Sequence, residues 1–103
     1  DVHAVSHITG GGFYENIPRS IPDGLCARVE SAALRIPAIF PLLQRQGNID
    51  WRDMFNTYNM GVGMCLMVSE ATAGAALEAL RQAGEEPYVI GHIARGEEKI
   101  ALC

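Results

Sequence analysis

Three consecutive glycines separate a short apolar segment from a helix-like segment near the start of the sequence. His7 and Thr9 precede Gly10, Gly11 and Gly12 in the stretch SHITGGGFYENIPRS, residues 6–20. Because glycine has no side chain, its backbone amides can approach a ligand closely, and the start of a helix adds a partial positive charge. Threonine brings a hydroxyl donor and histidine a titratable ring. These residue types therefore indicate a loop that binds an anion such as phosphate.

A tight structural turn explains the same glycines, and the glycine pattern by itself leaves both interpretations open. The loop lacks the lysine of a P-loop and the spacing of a dinucleotide-binding fingerprint. Two well-known kinds of nucleotide site are therefore excluded, whereas a simpler phosphate site is not. Arg19 could donate to a phosphate, although a surface ion pair explains this residue equally well.

A second glycine segment, NMGVGM at residues 59–64, repeats the pattern in the opposite order. A helix is expected to end near Asn59, Gly61 and Gly63 follow, and a strand then begins. One interpretation is a helix C-cap with a close approach of the backbone to its neighbours. The other interpretation is that this segment forms a second wall of the site at the first glycine loop.

The hydrophobic spacing predicts an α+β domain in which one mixed, mostly antiparallel sheet is packed by helices. Pro41 leaves the start of the second helix open, because a helix can begin near it or follow a distorted turn. The last two strands are expected to form a hairpin around Gly96. Strands are expected at 2–8, 25–30, 62–70, 87–95 and 99–102, and helices at 13–20, near 37–47, at 51–58 and at 73–83.

The third predicted helix has a clear start and a clear apolar face. Asp50 is a good N-cap residue for it. Trp51, Met54, Phe55 and Tyr58 recur at the spacing of one helical face. We therefore expect Trp51 and Phe55 to lie in the hydrophobic core.

Composition narrows the classes of function. The chain has 103 residues, of which 49% are hydrophobic, so it can form one small domain with a core of its own. A net charge of −4 with scattered basic residues argues against a nucleic acid or an anionic membrane as partner.

Three widely spaced cysteines indicate reduced thiols in the cytoplasm. The three histidines lack the spacing of a metal site, so no metal ligand is predicted. The absence of an initiator Met suggests that the sequence is a fragment.

Two longer stretches go beyond generic chemistry. They are HITGGGFYENIPR at residues 7–19 and IFPLLQRQGNIDWRDMFNTYNMGVGM at residues 39–64, and PYVIGHI follows near the end. Together they closely resemble the phosphoribosylformylglycinamidine cyclo-ligase family, also called aminoimidazole ribonucleotide synthetase. The resemblance corresponds to the later part of that family's C-terminal domain. Residues 1–103 are therefore expected to be a single domain that lacks the family's N-terminal nucleotide-binding domain.

The resemblance implies part of an ATP-dependent ligase of de novo purine biosynthesis, with Mg²⁺ serving the nucleotide. In the implied reaction, the amide oxygen of formylglycinamidine ribonucleotide is activated by phosphorylation, and an internal amine then closes the imidazole ring. A homodimer in the cytoplasm is expected. The alternative is a non-catalytic module for phosphate binding or dimerisation.

The resemblance also suggests roles for individual residues. His7 would donate a proton to the substrate, although a structural histidine at a strand end is the rival interpretation. The first loop would hold the ribose phosphate or a transferred phosphoryl group, and the second segment would form the adjoining wall. The implied binding residues are Thr9, Gly10, Gly11 and Gly12 in the first loop, and Asn59, Gly61 and Gly63 in the second segment.

Overall fold

The computed structural model describes all 103 residues and divides five strands between two sheets. In chain order the elements are β1 (Val2–His7), α1 (Gly12–Asn16), β2 (Leu25–Val29), α2 (Ile39–Gly47), α3 (Trp51–Thr57), β3 (Met64–Val68), α4 (Ala73–Gln82), β4 (Gly91–Arg95) and β5 (Ile100–Leu102). Short 3₁₀ turns lie at Ile17–Ser20, Ser31–Ala33 and Glu70–Thr72. The predicted α+β class is confirmed, but the strands do not form one continuous sheet.

The first sheet is a two-stranded ribbon and the second has three strands. In the ribbon, β1 pairs antiparallel with β3, so that His7 lies opposite Met64. In the second sheet β2 lies in the middle, antiparallel to β4 and parallel to β5. Both sheets contribute buried side chains to a single hydrophobic cluster. The two sheets therefore enclose one core, although no strand pairing connects them.

The predicted hairpin of the last two strands is wrong, because β2 lies between them. Gly91 allows this arrangement, since a Cβ at that position would overlap the carbonyl oxygen of Arg28 in β2. The connection from β4 to β5 passes the end of β2, where the Gly96 amide donates to Gly24 O (3.1 Å). Because β2 is the central strand, its backbone groups are hydrogen-bonded along both edges. If β4 and β5 paired only with each other as a hairpin, β2 would lose these partners.

The helices begin where their first residues allow it. Helix α2 includes Pro41 in its first turn, where the backbone N–H groups have no helical partner and proline is tolerated. The helix ends at Asn48, which adopts a left-handed φ of 48°. Asp50 caps α3 as predicted, because its side chain accepts a hydrogen bond from the Arg52 amide (3.3 Å).

The core is centred on the contact between α1 and α3. Phe13 and Phe55 pack edge to face, with ring centroids 5.3 Å apart. Met54 beside Phe55 is fully buried. The prediction that Trp51 lies in this core is wrong, because Trp51 is 43% exposed at the first position of α3. The helix is only 7 residues long and turns its Met54–Phe55 side inward, so the tryptophan lies at the edge of the packed face.

The three cysteines are free thiols, and two of them are buried. Cys26 and Cys65 lie in the core, whereas Cys103 is exposed. Burial removes water from the Cys65 sulfur and raises the pKa of this thiol to about 11 from 9.0. No helix in the structure has the length and apolar character needed to cross a membrane.

The raised pKa of Cys65 predicts a loss of stability in alkaline solution. The unfolded chain ionises this thiol above about pH 9, while the folded chain keeps it neutral up to about pH 11. The stabilisation is therefore complete below pH 9 and is lost as the pH rises towards 11. Urea unfolding from pH 8 to 11 should show this fall, and the Cys65→Ala variant should show a smaller one. Equal slopes for both chains would contradict the prediction.

Candidate functional site

The first glycine loop presents backbone amides that have no acceptor within the protein. The N–H groups of Thr9, Gly10 and Gly11 donate to no protein atom, whereas the Gly12 amide donates to Thr9 O (3.0 Å). The Thr9 hydroxyl donates to Asn16 Oδ1 (3.3 Å), so its proton is used inside the loop. The loop therefore offers three adjacent backbone donors to a ligand, but not the Gly12 amide or the threonine proton.

The glycines of the two segments have different reasons for lacking a side chain. Gly11 and Gly12 both have positive φ, and a Cβ on Gly12 would overlap the carbonyl oxygen of Phe55. Gly61 also has positive φ, and a Cβ there would overlap Pro37. These three glycines are required by the fold. The structural interpretation therefore explains these three positions, and no ligand is needed to account for them.

Gly10 and Gly63 have no such requirement. Neither has a left-handed φ, and a Cβ at either position would meet no heavy atom within 4 Å. The two segments are joined by a hydrogen bond, because the Ile8 amide donates to Gly63 O (2.9 Å). The fold alone therefore does not explain these two glycines. Their open sides are where a ligand or another part of a larger protein can approach the backbone.

The two glycine segments meet at one pocket of about 330 Å³. Of the predicted site residues, the pocket brings together Thr9, Gly10 and Asn59. Asn59 also shapes its own turn, since its Oδ1 accepts from the Gly61 amide (2.8 Å). The hypothesis that the second segment forms an adjoining wall stays a prediction, and this shared pocket supports it for Asn59.

Sequence reasoning did not identify the aromatic side of this pocket. Phe40 and Tyr58 line it with their ring centroids 5.8 Å apart and their planes at 53°. Thr57 and Ile8 complete the lining. Thr57 and Tyr58 directly precede Asn59, so proximity in sequence was an available signal. Phe40 comes from α2 and reaches the pocket only through tertiary packing.

His7 lies outside the pocket. It is the last residue of β1, it is exposed, and it pairs across the ribbon with Met64. Successive side chains of a strand point to opposite faces, and the next residue, Ile8, is buried and lines the pocket. His7 therefore faces away from the pocket, and the structure does not bring it to the residues predicted to bind phosphate.

Charged side chains surround the loop unevenly. The carboxylate of Glu15 folds back towards Gly11 and accepts a hydrogen bond from Asn56 Nδ2 (2.6 Å). Arg19 contacts the end of α1 instead, where its Nη1 donates to Asn16 Oδ1 (3.5 Å). Arg19 has no carboxylate within ion-pair distance. An anion must therefore approach Gly11 from its amide side, away from the Glu15 carboxylate. No group of three or more His, Cys, Asp or Glu side chains is placed to hold a metal ion.

The family described as AIR synthase related protein, C-terminal domain, matches residues 1–102. This chain belongs to that family. The resemblance inferred from the two glycine segments is therefore confirmed.

Curated relatives carry the name phosphoribosylformylglycinamidine cyclo-ligase. The protein of that name from Lachnospira eligens is 49% identical over 102 residues, which are 99% of this chain and 30% of the relative. The protein from Lachnoclostridium phytofermentans is 50% identical over 103 residues, again 30% of its length. The protein from Staphylococcus aureus is 49% identical over 96 residues, or 28% of its length. The chain thus spans about 30% of the length of the first two of these relatives.

Proposed function

We propose that this chain is part of an ATP-dependent ring-closing ligase that converts formylglycinamidine ribonucleotide to aminoimidazole ribonucleotide in de novo purine biosynthesis. The names of its relatives support this proposal, at about 50% identity over the whole chain. The chain corresponds to the later part of a C-terminal domain. We propose that a separate nucleotide-binding domain completes the enzyme, since the chain spans about 30% of the length of these relatives.

The observation that carries the proposal is the row of backbone amides at Thr9, Gly10 and Gly11. They donate to no protein atom, and Thr9 and Gly10 line the pocket shared with Asn59. Backbone N–H groups at a glycine loop suit the oxygens of a phosphate group, because each oxygen accepts several hydrogen bonds. The proposed role of the loop is to hold a phosphate of the substrate, or the phosphoryl group during transfer.

The reaction requires charge stabilisation and orientation more than a reactive side chain. ATP supplies the phosphoryl group that activates the amide oxygen, and ring closure then releases phosphate. Fixed donors that bind the phosphate keep the reacting groups at a set distance and direction. The side chains of this chain do not form a carboxylate cluster for Mg²⁺. The role proposed for these residues is therefore to bind phosphate, and it does not include holding Mg²⁺.

The catalytic role proposed for His7 is that of a proton donor that acts from outside the pocket. Its exposed position on β1 requires that the substrate, or another domain, reach the outer face of the ribbon. The rival role, a histidine at the end of a strand, needs no such reach. Replacement of His7 by Gln separates the two roles, since only the first would lower the rate of ring closure.

We propose further that the complete protein works as a homodimer in the cytoplasm. The free thiols of Cys26, Cys65 and Cys103 fit a reducing compartment. The ribbon of β1 and β3 exposes Val2, Val5 and Met64, each about half exposed, and apolar side chains of this kind favour association. Sedimentation of the complete protein tests this part of the proposal.

The test of the proposed activity uses the complete reading frame that encodes this chain. The purified protein is expected to convert formylglycinamidine ribonucleotide to the imidazole product, with one phosphate released per turnover, only when ATP and Mg²⁺ are present. A Gly74→Val variant is expected to keep this activity, because Gly74 lies on α4 with open space around it and does not line the pocket. Phosphate binding without turnover would instead favour a non-catalytic module.

A further inference from the structure

Asn16 is one of two polar residues that are buried in the core region, at 4% exposure. It is the last residue of α1, and its side chain turns back towards the glycine loop. Its Nδ2 donates to the carbonyl oxygens of Thr9 (3.2 Å), Gly10 (3.3 Å) and Gly12 (2.8 Å). Its Oδ1 accepts from the Thr9 hydroxyl (3.3 Å). One side chain therefore contacts the backbone or side chain of three loop residues.

These contacts determine which way the loop amides point. In a trans peptide unit, the carbonyl of one residue and the N–H of the next point in opposite directions. When Asn16 holds the Thr9 carbonyl inward, the Gly10 amide must point outward. When it holds the Gly10 carbonyl inward, the Gly11 amide must point outward. These are two of the three amides that have no acceptor within the protein.

We propose that Asn16 is a positioning residue for the phosphate site, acting through the loop rather than by touching the ligand. Its amide group holds the loop carbonyls away from the anion, which they would repel, and directs the Gly10 and Gly11 N–H groups towards it. Arg19 adds a positive charge beside Asn16, because its Nη1 donates to Asn16 Oδ1 (3.5 Å). This inference rests on the proposed phosphate-binding role of the loop and adds the residue that sets its geometry.

The test follows the Thr9, Gly10 and Gly11 amide signals of the ¹⁵N-labelled chain during titration with inorganic sulfate, which mimics phosphate. Asn16→Asp keeps the acceptor oxygen but removes the Nδ2 donor, and Asn16→Leu removes both without adding charge. Both variants are expected to bind sulfate roughly tenfold more weakly, the effect of losing about one oriented hydrogen bond. Ile17→Val is the matched control, because it changes the neighbouring buried side chain and leaves the Asn16 hydrogen bonds to the loop in place.

The outcomes separate the two proposals. Wild-type affinity in both Asn16 variants would overturn the positioning role and leave the phosphate site intact. The absence of any response in the wild-type loop amides would remove the site itself, and the role of Asn16 with it. If the variants fail to fold, hydrogen exchange in the wild-type chain tests the positioning role of Asn16. Slow exchange at the Asn16 Nδ2 protons with fast exchange at Gly10 and Gly11 supports the role, and protected Gly10 and Gly11 amides overturn it.

Discussion

Replacement of Gly12 by alanine is expected to lower the free energy of unfolding by about 2–5 kcal/mol. Gly12 has a φ of +62°, a conformation that strains residues with a Cβ. The added methyl group would also overlap the carbonyl oxygen of Phe55 and approach that of Tyr58. Helix α1 would have to move away from α3, which would disturb the packing of Phe13 against Phe55. Urea unfolding monitored by circular dichroism measures the effect.

The control for this prediction is Gly10→Ala, two residues earlier in the same loop. Gly10 has no left-handed φ and no heavy atom within 4 Å of a Cβ position. Its alanine variant should therefore unfold at nearly the wild-type urea concentration. If the two variants were equally stable, the close contact between α1 and α3 would not be the reason for glycine at residue 12.

Replacement of Gly10 by valine is expected to weaken sulfate or phosphate binding strongly while the fold stays stable. The valine side chain would occupy the open space beside the pocket and block the amides of Gly10 and Gly11. We expect the affinity to fall at least roughly tenfold, because an anion that cannot reach two donors loses both hydrogen bonds. Titration of the ¹⁵N-labelled chain with sulfate gives the affinity, and urea unfolding gives the stability.

The matched control for Gly10→Val is Gly74→Val on α4. Gly74 is also surrounded by open space, and it does not line the pocket. The control variant should bind sulfate as the wild-type chain does. Unchanged binding by Gly10→Val would show that the loop is not the anion site. The family assignment would then be unaffected, because it depends on the match over residues 1–102 rather than on the loop.

Local sequence signals were sufficient for the elements that depend on neighbouring residues. Asp50 begins α3 because its side chain can bond to an amide two residues later, and Pro41 fits the first turn of α2. Such signals act over a few residues, so the sequence displays them directly. The position of Trp51 was not predictable in the same way. Helical spacing shows which residues share a face, but not how far along that face the packing extends.

The order of the strands and the roles of the glycines were decided by tertiary structure. The pairing of β4 and β5 with β2, instead of with each other, joins strands roughly 60 to 75 residues apart in sequence, which local turn signals cannot report. Gly11, Gly12 and Gly61 are required by backbone conformation and contacts, whereas Gly10 and Gly63 are open. All five have the same residue type, so composition alone cannot separate them.

The sequence by itself determined that two glycine segments belong to a small α+β domain of a recognisable family. It also predicts that a ligand at residues 10–12 would meet backbone groups, because glycine leaves only amides and carbonyls to act. Only the tertiary structure decided which of those amides point outward, through the buried side chain of Asn16. It also decided that Asn59 shares their pocket and that His7 does not. The direction of an amide and the lining of a pocket depend on contacts in three dimensions, which a linear pattern does not contain.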